Sequence, residues 1–124
     1  MRGEEWRGEG TVLVVDDEDM VRRVLRLSVE RLGFDVVEAE DGERALQVFR
    51  EHRRDLRAVI LDRTLPGASG TQIMDELRQV DGSIPIVLTS GYTDDGSNAD
   101  AFLAKPFRPT EVATLLEKLL EGAG

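Results

Sequence analysis

The chain has 124 residues, the length of a single domain that can bury a core of its own. Its net charge of −9 argues against nonspecific nucleic-acid binding, because such binding depends on neutralising phosphates with positive side chains. The absence of cysteine excludes disulfides, thiolate metal sites and thiol catalysis. The longest apolar runs are too short to span a bilayer, and residues 1–10 lack the apolar core of a signal peptide. We therefore expect a cytoplasmic protein that contacts neither nucleic acid nor membrane directly.

The first elements are predicted from hydrophobic spacing. Residues 1–10 are charged and rich in glycine, which predicts a flexible tail or linker before a domain that spans residues 11–124. A continuous apolar run at residues 11–16 predicts a buried strand that ends in acid. A helical pattern begins at Glu18 and has a stop signal at Gly33. The face predicted to point inward carries Val21, Val24, Leu25, Ser28 and Leu32.

The middle of the chain predicts a strand at 34–39, a helix at 43–53 and a strand at 56–62. In the last of these, four apolar residues lead directly to Asp62, and the turn residues Pro66 and Gly67 follow shortly after. Such a run is typical of a strand covered on both faces. Because an ionised carboxylate beside a core is costly without a partner, we expect Asp62 to be a nucleophile and not a packing residue.

The last third of the chain predicts a helix at 70–79, strands at 84–90 and 101–104, and a helix after Pro109. Strands that alternate with helices predict a parallel sheet with helices on both faces. Residues 91–101 break this alternation, because they contain two glycines, one asparagine and three aspartates without apolar periodicity. We expect a loop there, or at most one helical turn, in place of a full helix.

Acidic side chains follow two of the predicted strands. Asp16 and Asp17 end the first strand, and Asp62 ends the strand at 56–62. Ligands of open α/β sheets bind at the carboxyl ends of the strands, where these acids would repel one another without a divalent cation such as Mg²⁺. Ser90 and Lys105 follow the next two strands. A carboxylate, a metal, a hydroxyl and an ammonium together favour phosphoryl transfer.

Four short motifs in this order carry a resemblance to a known family. They are Val14-Val15-Asp16-Asp17-Glu18, Asp62 with Leu65-Pro66 and Gly70, Thr89-Ser90-Gly91-Tyr92, and Lys105-Pro106-Phe107. From about Thr11 to its C-terminus, the chain resembles a receiver domain of two-component response regulators and hybrid sensor histidine kinases. The apolar run before Asp16 and the Ser90-Gly91-Tyr92 sequence resemble the receivers of hybrid kinases in particular.

The resemblance implies a role for each site residue. Asp62 would be the phosphoacceptor, and Mg²⁺ would be bound by Asp17 directly, by Asp16 partly through water, by Asp62 and by the backbone carbonyl of Thr64. Lys105 would pair with the phosphoryl group, and the Lys105–Pro106 peptide would be cis. The switch residues of the family correspond to Ser90 and the aromatic Phe102.

The resemblance also implies a fold and partners. The fold would be flavodoxin-like, a doubly wound five-stranded parallel sheet of order 2-1-3-4-5. The chain departs from the family in one respect, because residues 91–101 predict that the helix between the fourth and fifth strands is reduced or absent. The domain would take a phosphoryl group from a histidine kinase or a histidine phosphotransfer protein, promote its own phosphorylation and dephosphorylation, and exist as a monomer or weak dimer. Because of this departure, we expect phosphorylation to order residues 91–101, or the phosphoryl group to be passed on, in place of the dimer that the family commonly forms through that helix.

Alternatives remain open for the function and for single residues. A phosphorylation-independent interaction module has the same fold, but such modules usually lack the acceptor or the acidic pair. A hydrolase of the haloacid dehalogenase type would need an acid where Thr64 stands, and a flavin binder would need a phosphate-cradling loop after the first strand. Taken alone, Asp16 and Asp17 could cap a helix. The arginines Arg22, Arg23 and Arg26 could form a solvated helix face or a kinase contact.

Overall fold

Strands and helices alternate along the chain in the computed structural model, which describes residues 6–91 and 98–122. The strands are β1 (Thr11–Val15), β2 (Asp35–Ala39), β3 (Leu56–Asp62), β4 (Thr64–Leu65), β5 (Ala68–Ser69), β6 (Ile86–Ser90) and β7 (Ala101–Ala104). The helices are α1 (Asp19–Glu30), α2 (Gly42–His52), α3 (Gly70–Val80) and α4 (Pro109–Gly122). Within the described ranges, no helix is long and apolar enough to cross a bilayer.

Five of the strands form one parallel sheet in the order β2-β1-β3-β6-β7. Counted over these five strands, the order is 2-1-3-4-5, so the predicted fold class is confirmed. Every residue of β1 and β6 is buried, because helices cover both faces of the sheet. Side chains alternate between two cores: Leu13 packs with Phe49 on one face, and Val14 packs with Leu25 and Leu116 on the other.

Side-chain caps fix where two of the helices begin. Asp41 accepts a hydrogen bond from the Arg44 N–H at the start of α2. At the start of α3, Ser69 and Gln72 form a reciprocal capping box. The antiparallel pair of β4 and β5 leads into this cap, and its turn contains Gly67 at φ +77°, which a glycine adopts without strain. The sequence predicts the turn but not this small hairpin.

The face that α1 buries differs from the predicted one at two positions: Val24 does not point inward, and Val29 is buried although it was not predicted to be. Leu25, Ser28, Val29 and Leu32 are buried, whereas Val24 is 38% exposed. The prediction for Val24 is therefore wrong. Apolar residues occur on both sides of this helix, so spacing alone could not decide which side faces the core. The exposed apolar positions are Met20, Val24 and Leu27.

Contacts hold the part of the predicted N-terminal tail that is described. The rings of Trp6 and Phe34 lie 5.9 Å apart, and the Gly8 N–H donates to the Leu32 carbonyl at 2.6 Å. Arg57 donates to the Glu9 carbonyl at 3.0 Å. Residues 6–10 are thus packed on the domain, and residues 1–5 lie outside the described residues. The division of the chain at residue 10 stays a prediction.

The connection between β6 and β7 shows no helix in its described residues, Gly91 and 98–100. Residues 92–97, which make up most of the predicted loop, lie outside the described residues. Asp100 anchors the end of the connection: its N–H donates to the Ile86 carbonyl at 2.9 Å, and its Oδ2 accepts from the Ile86 N–H and from Arg78, both at 2.7 Å. These bonds set where β7 begins.

Candidate functional site

Three carboxylates meet at the carboxyl ends of the strands. Because β1 lies beside β3, Asp16 and Asp17 after β1 are brought next to Asp62 at the end of β3. One carboxylate oxygen from each residue lies within 4.8 Å of the others. Asp16 is fully buried and Asp62 is 5% exposed, whereas Asp17 is exposed to solvent. The predicted acidic cluster is therefore present in the fold.

Asp16 is held through its backbone and through both of its carboxylate oxygens. Its N–H donates to the Ala39 carbonyl at 3.2 Å, on β2. Its Oδ1 accepts from the Glu18 N–H at 2.8 Å, and its Oδ2 accepts from Lys105 Nζ at 3.1 Å. The N-cap of α1 is Glu18, without a side-chain capping bond. The interpretation of Asp16 and Asp17 as a helix-capping pair is therefore wrong.

Asp62 has one donor on each carboxylate oxygen. The Thr64 N–H donates to Oδ1 at 3.0 Å, and Lys105 Nζ lies 3.3 Å from Oδ2. Burial raises the pKa of Asp62 above its usual value, and the charge of Asp16 adds to this effect. The Thr64 N–H and Lys105 oppose the rise in pKa without cancelling it. Asp62 is thus a carboxylate whose charge is only partly compensated, as a cation site would require.

Lys105 joins the two buried acids. It follows β7, and its backbone N–H donates to the Ser90 carbonyl at 2.7 Å, which places the lysine next to the end of β6. Burial lowers the pKa of Lys105, but the hydrogen bond and charge of Asp16, together with Asp62, raise it above its usual value overall. Lys105 therefore stays protonated at neutral pH. The Lys105–Pro106 peptide is cis, which confirms that prediction.

The remaining predicted site residues lie near this cluster. Ser90 is buried at the carboxyl end of β6, one strand away from Asp62. Phe102 is half-buried on β7, where it pairs with Leu88 and packs against the core beneath the sheet. Thr64 is exposed at the start of β4, two residues after the end of β3. Its N–H donates to the Asp62 carboxylate, whereas the metal-binding role of its carbonyl stays a prediction.

Gly70 is needed because the backbone of Asp62 lies directly against it. A Cβ atom at this position would come within 2.5 Å of the Asp62 carbonyl oxygen and 2.7 Å of Arg63 Cα. The Gly70 N–H donates to the Arg63 carbonyl at 2.7 Å. The start of α3 is thereby fixed to the segment that carries the candidate nucleophile.

The contact of Arg22 with the site is not predicted by the sequence. The guanidinium donates to the backbone carbonyl of Asp16 at 2.9 Å, directly behind the acidic cluster. No motif marks this role, because Arg22, Arg23 and Arg26 look alike on a helix. A signal was available only in the spacing, since Arg22 stands next to Val21 on the side of α1 that faces the sheet.

The donor set fits a hard divalent cation. Three carboxylates supply only oxygen atoms, and the exposed Asp17 leaves room for the water molecules that Mg²⁺ retains. Asp16 and Asp62 would otherwise share a single ammonium as their compensating charge. The residues that could hold the ion are therefore Asp16, Asp17 and Asp62.

Comparison with known proteins gives concordant results. The family model of the response regulator receiver domain matches residues 12–117. The chain is 34% identical over 116 residues to the alkaline phosphatase synthesis transcriptional regulatory protein PhoP of Bacillus subtilis, covering 88% of this chain and 48% of that protein. It is 34% identical over 115 residues to the transcriptional regulatory protein SrrA of Staphylococcus aureus, covering 88% of this chain and 47% of that protein. The chain thus spans about half the length of the curated relatives it matches.

Solved structures agree with the sequence comparison. The receiver domain of the hybrid histidine kinase CckA superimposes with a TM-score of 0.80 at 32% identity, covering 90% of this chain and 99% of that one. The receiver domain of NtrX from Brucella abortus gives a TM-score of 0.80 at 28% identity, with 89% and 98% coverage. The fold and the site define a flavodoxin-like domain with an acidic cluster and a lysine at the carboxyl ends of its parallel strands. The chain belongs to the response regulator receiver domain family, whose members are signalling modules of two-component systems.

Proposed function

We propose that this domain accepts a phosphoryl group on Asp62 from a histidine kinase or a histidine phosphotransfer protein. The observation that carries this proposal is the position of Lys105 Nζ, 3.1 Å from Asp16 and 3.3 Å from Asp62. An ammonium shared by two buried carboxylates can turn towards a phosphoryl group on one of them and neutralise its charge. The raised pKa of Asp62 accords with a nucleophile that burial has partly desolvated.

The proposed transfer is a substitution at phosphorus. A carboxylate oxygen of Asp62 attacks the phosphorus atom of a phosphohistidine, the N–P bond breaks, and the imidazole leaves and takes a proton from water. The Thr64 N–H holds Asp62 Oδ1, so Oδ2, on the side of Lys105, is the attacking oxygen. Attack of water on the acyl phosphate later returns the carboxylate and releases inorganic phosphate. The domain promotes both steps on its own Asp62 side chain.

The proposed metal is Mg²⁺, held by the carboxylates of Asp16, Asp17 and Asp62 and by the carbonyl of Thr64. Asp17 would bind the ion directly, and Asp16 partly through water. When bound, the ion supplies positive charge against the phosphoryl oxygens. Asp16 would keep its bond to the Glu18 N–H, which aims its other oxygen at Lys105 and the site.

The proposed conformational switch uses Ser90 and Phe102. The Ser90 carbonyl accepts the Lys105 N–H at 2.7 Å, so Ser90 and Lys105 respond together when a phosphoryl group is present between them. Ser90 would donate its hydroxyl to a phosphoryl oxygen, and Phe102 would change its side-chain rotamer. This change, read by a partner, is the proposed signal.

An exposed apolar groove borders the site and suits the proposed partner. Met20, Val21 and Val24 of α1 line one side, and Pro106 and Phe107 line the other, directly beside Lys105. A phosphohistidine must approach Asp62 past the side of the site that this groove borders, so the helix that carries the phosphohistidine would lie in the groove.

We propose that the domain works in the cytoplasm, as a monomer or weak dimer, and comprises residues 11–124.

The proposal is tested with a small phosphodonor. The protein is incubated with acetyl phosphate and Mg²⁺, and its intact mass is compared with that of Asp62→Asn and of a sample containing EDTA. We expect one added phosphate in the parent protein with Mg²⁺ and none in the two controls. If no sample gains phosphate and Mg²⁺ does not bind, the interaction-module alternative replaces the proposed function.

A further inference from the structure

Arg22 connects three parts of the chain behind the acidic cluster. Its Nε donates to Glu38 Oε1 on β2 at 3.0 Å, and one terminal nitrogen donates to Asp19 Oδ1 in the first turn of α1 at 2.7 Å. The other terminal nitrogen donates to the Asp16 carbonyl, at the end of β1, at 2.9 Å. Only 15% of this side chain is exposed. The guanidinium is therefore fixed between β1, α1 and β2.

The Asp16 carbonyl belongs to the peptide unit that joins Asp16 to Asp17. Rotation about the Cα–C bond of Asp16 would move this carbonyl together with the planar peptide unit and Asp17, and so would turn the Asp17 side chain relative to Asp16 and Asp62. Asp17 is exposed, and its carboxylate depends on the backbone for its position. Arg22 is thus bonded at the point that sets the angle between two of the three carboxylates.

We propose that Arg22 is a positioning residue for the metal site. It holds the Asp16–Asp17 peptide in the orientation that lets both carboxylates bind Mg²⁺, without contacting the ion itself. The inference rests on the proposed function and extends it to a residue outside the acidic cluster. Groups that hold metal ligands in place commonly change metal affinity by about tenfold or more when removed.

Arg26 provides a matched control on the same helix. It donates to the other oxygen of Glu38 at 2.7 Å and to Glu30 Oε2 at 3.1 Å, and it has the same charge as Arg22. None of its described hydrogen bonds involves the Asp16 carbonyl. If charge alone mattered, removing either arginine would tighten Mg²⁺ binding, because a positive charge near the cation would be lost. If Arg22 positions the metal ligands, removing Arg22 should instead weaken Mg²⁺ binding, and removing Arg26 should not.

The test is a calorimetric titration with MgCl₂ at constant ionic strength. The parent chain, Arg22→Met and Arg26→Met are compared, and urea unfolding of the metal-free proteins is measured in parallel. We expect Arg22→Met to weaken Mg²⁺ binding about tenfold and Arg26→Met to stay within about twofold of the parent. Arg22→Gln keeps a polar side chain but cannot donate to Glu38, Asp19 and the Asp16 carbonyl at once, so it should also weaken Mg²⁺ binding.

Two results would overturn the inference. One is Mg²⁺ binding in Arg22→Met, or in Arg22→Gln if the methionine variant does not fold, that is as tight as in the parent or tighter. The other is a lower free energy of unfolding with unchanged Mg²⁺ affinity, which is the mark of a purely structural residue. If the parent itself binds no Mg²⁺, the proposed function fails and the inference falls with it. If the parent binds Mg²⁺ and gains phosphate while Arg22→Met behaves identically, only the inference is lost.

Discussion

Removing the Lys105 ammonium should destabilise the metal-free domain in a pH-dependent way. The side chain lies 3.1 Å from Asp16 and 3.3 Å from Asp62, and both acids are buried. At an effective dielectric constant of about 20, each of these contacts is an attraction of about 5 kcal/mol. The cost of dehydrating the ammonium offsets several kcal/mol of this attraction. Because 22% of the Lys105 side chain is exposed, solvent screens a further part of the attraction. For Lys105→Met, we expect a net loss of about 2 kcal/mol in the free energy of unfolding near pH 7.5.

The loss should shrink as the pH falls. The pKa of Asp62 is already raised by burial, and without Lys105 it rises further, so Asp62 takes up a proton at a higher pH in the variant than in the parent. Protonation removes the repulsion between Asp62 and Asp16. The difference in unfolding free energy between variant and parent is therefore largest above the raised pKa and declines as the pH falls through it.

The assay is urea unfolding followed by circular dichroism near pH 7.5 and near pH 5.5, without divalent ions. Lys118→Met is the control, because it removes the other lysine of the chain from an exposed position on α4, and it should change stability by less than about 0.5 kcal/mol. A Lys105→Met protein as stable as the parent near pH 7.5 would refute the reasoning. So would a loss of equal size at both pH values.

Three further predictions concern residues that hold the site in place, and all are measured by urea unfolding without metal. Asp62→Asn should raise the free energy of unfolding near pH 7.5, because a raised carboxylate pKa means that the charged form opposes folding. This gain should disappear as the pH falls through the raised pKa, and a gain that grows in acid would contradict it. Gly70→Ala should cost about 2 kcal/mol or more, because its Cβ would meet the Asp62 carbonyl at 2.5 Å. Gly82→Ala, whose nearest contact would be an ordinary 3.6 Å, is its control, and equal effects would contradict the explanation. Ser69→Ala removes the capping box of α3 and should cost about 1 kcal/mol, and an unchanged stability would show that the cap is dispensable.

The arrangement of the acidic cluster could be predicted because it depends on topology. Strands with continuous apolar runs end where acids begin, and the right order of parallel strands is enough to bring Asp16 next to Asp62. Lys105 follows from the same logic, since it stands after the last strand of the sheet. Cα positions at strand ends are thus determined by pairing and not by side-chain detail.

The orientation of α1 and the role of Arg22 could not be predicted in this way. Met20, Val24 and Leu27 are as apolar as the residues that α1 buries, so the helical period permits more than one buried face. Arg22 contacts Asp16 and Glu38, which lie on other elements, and the sequence gives no distance between elements. The small hairpin at β4 and β5 has strands of two residues, too short to produce a periodic pattern.

The most direct test of the central claim is to locate the phosphoryl group in the chain. The protein is phosphorylated with acetyl phosphate in Mg²⁺, and the acyl phosphate is reduced with borohydride, which converts the modified aspartate to homoserine. Peptide sequencing by mass spectrometry then identifies the position. We predict homoserine at position 62, dependent on both Mg²⁺ and the phosphodonor, with Asp16 and Asp17 unmodified. Modification at another acid, or none at Asp62 in a folded, Mg²⁺-loaded sample, would contradict the claim that Asp62 is the phosphoacceptor.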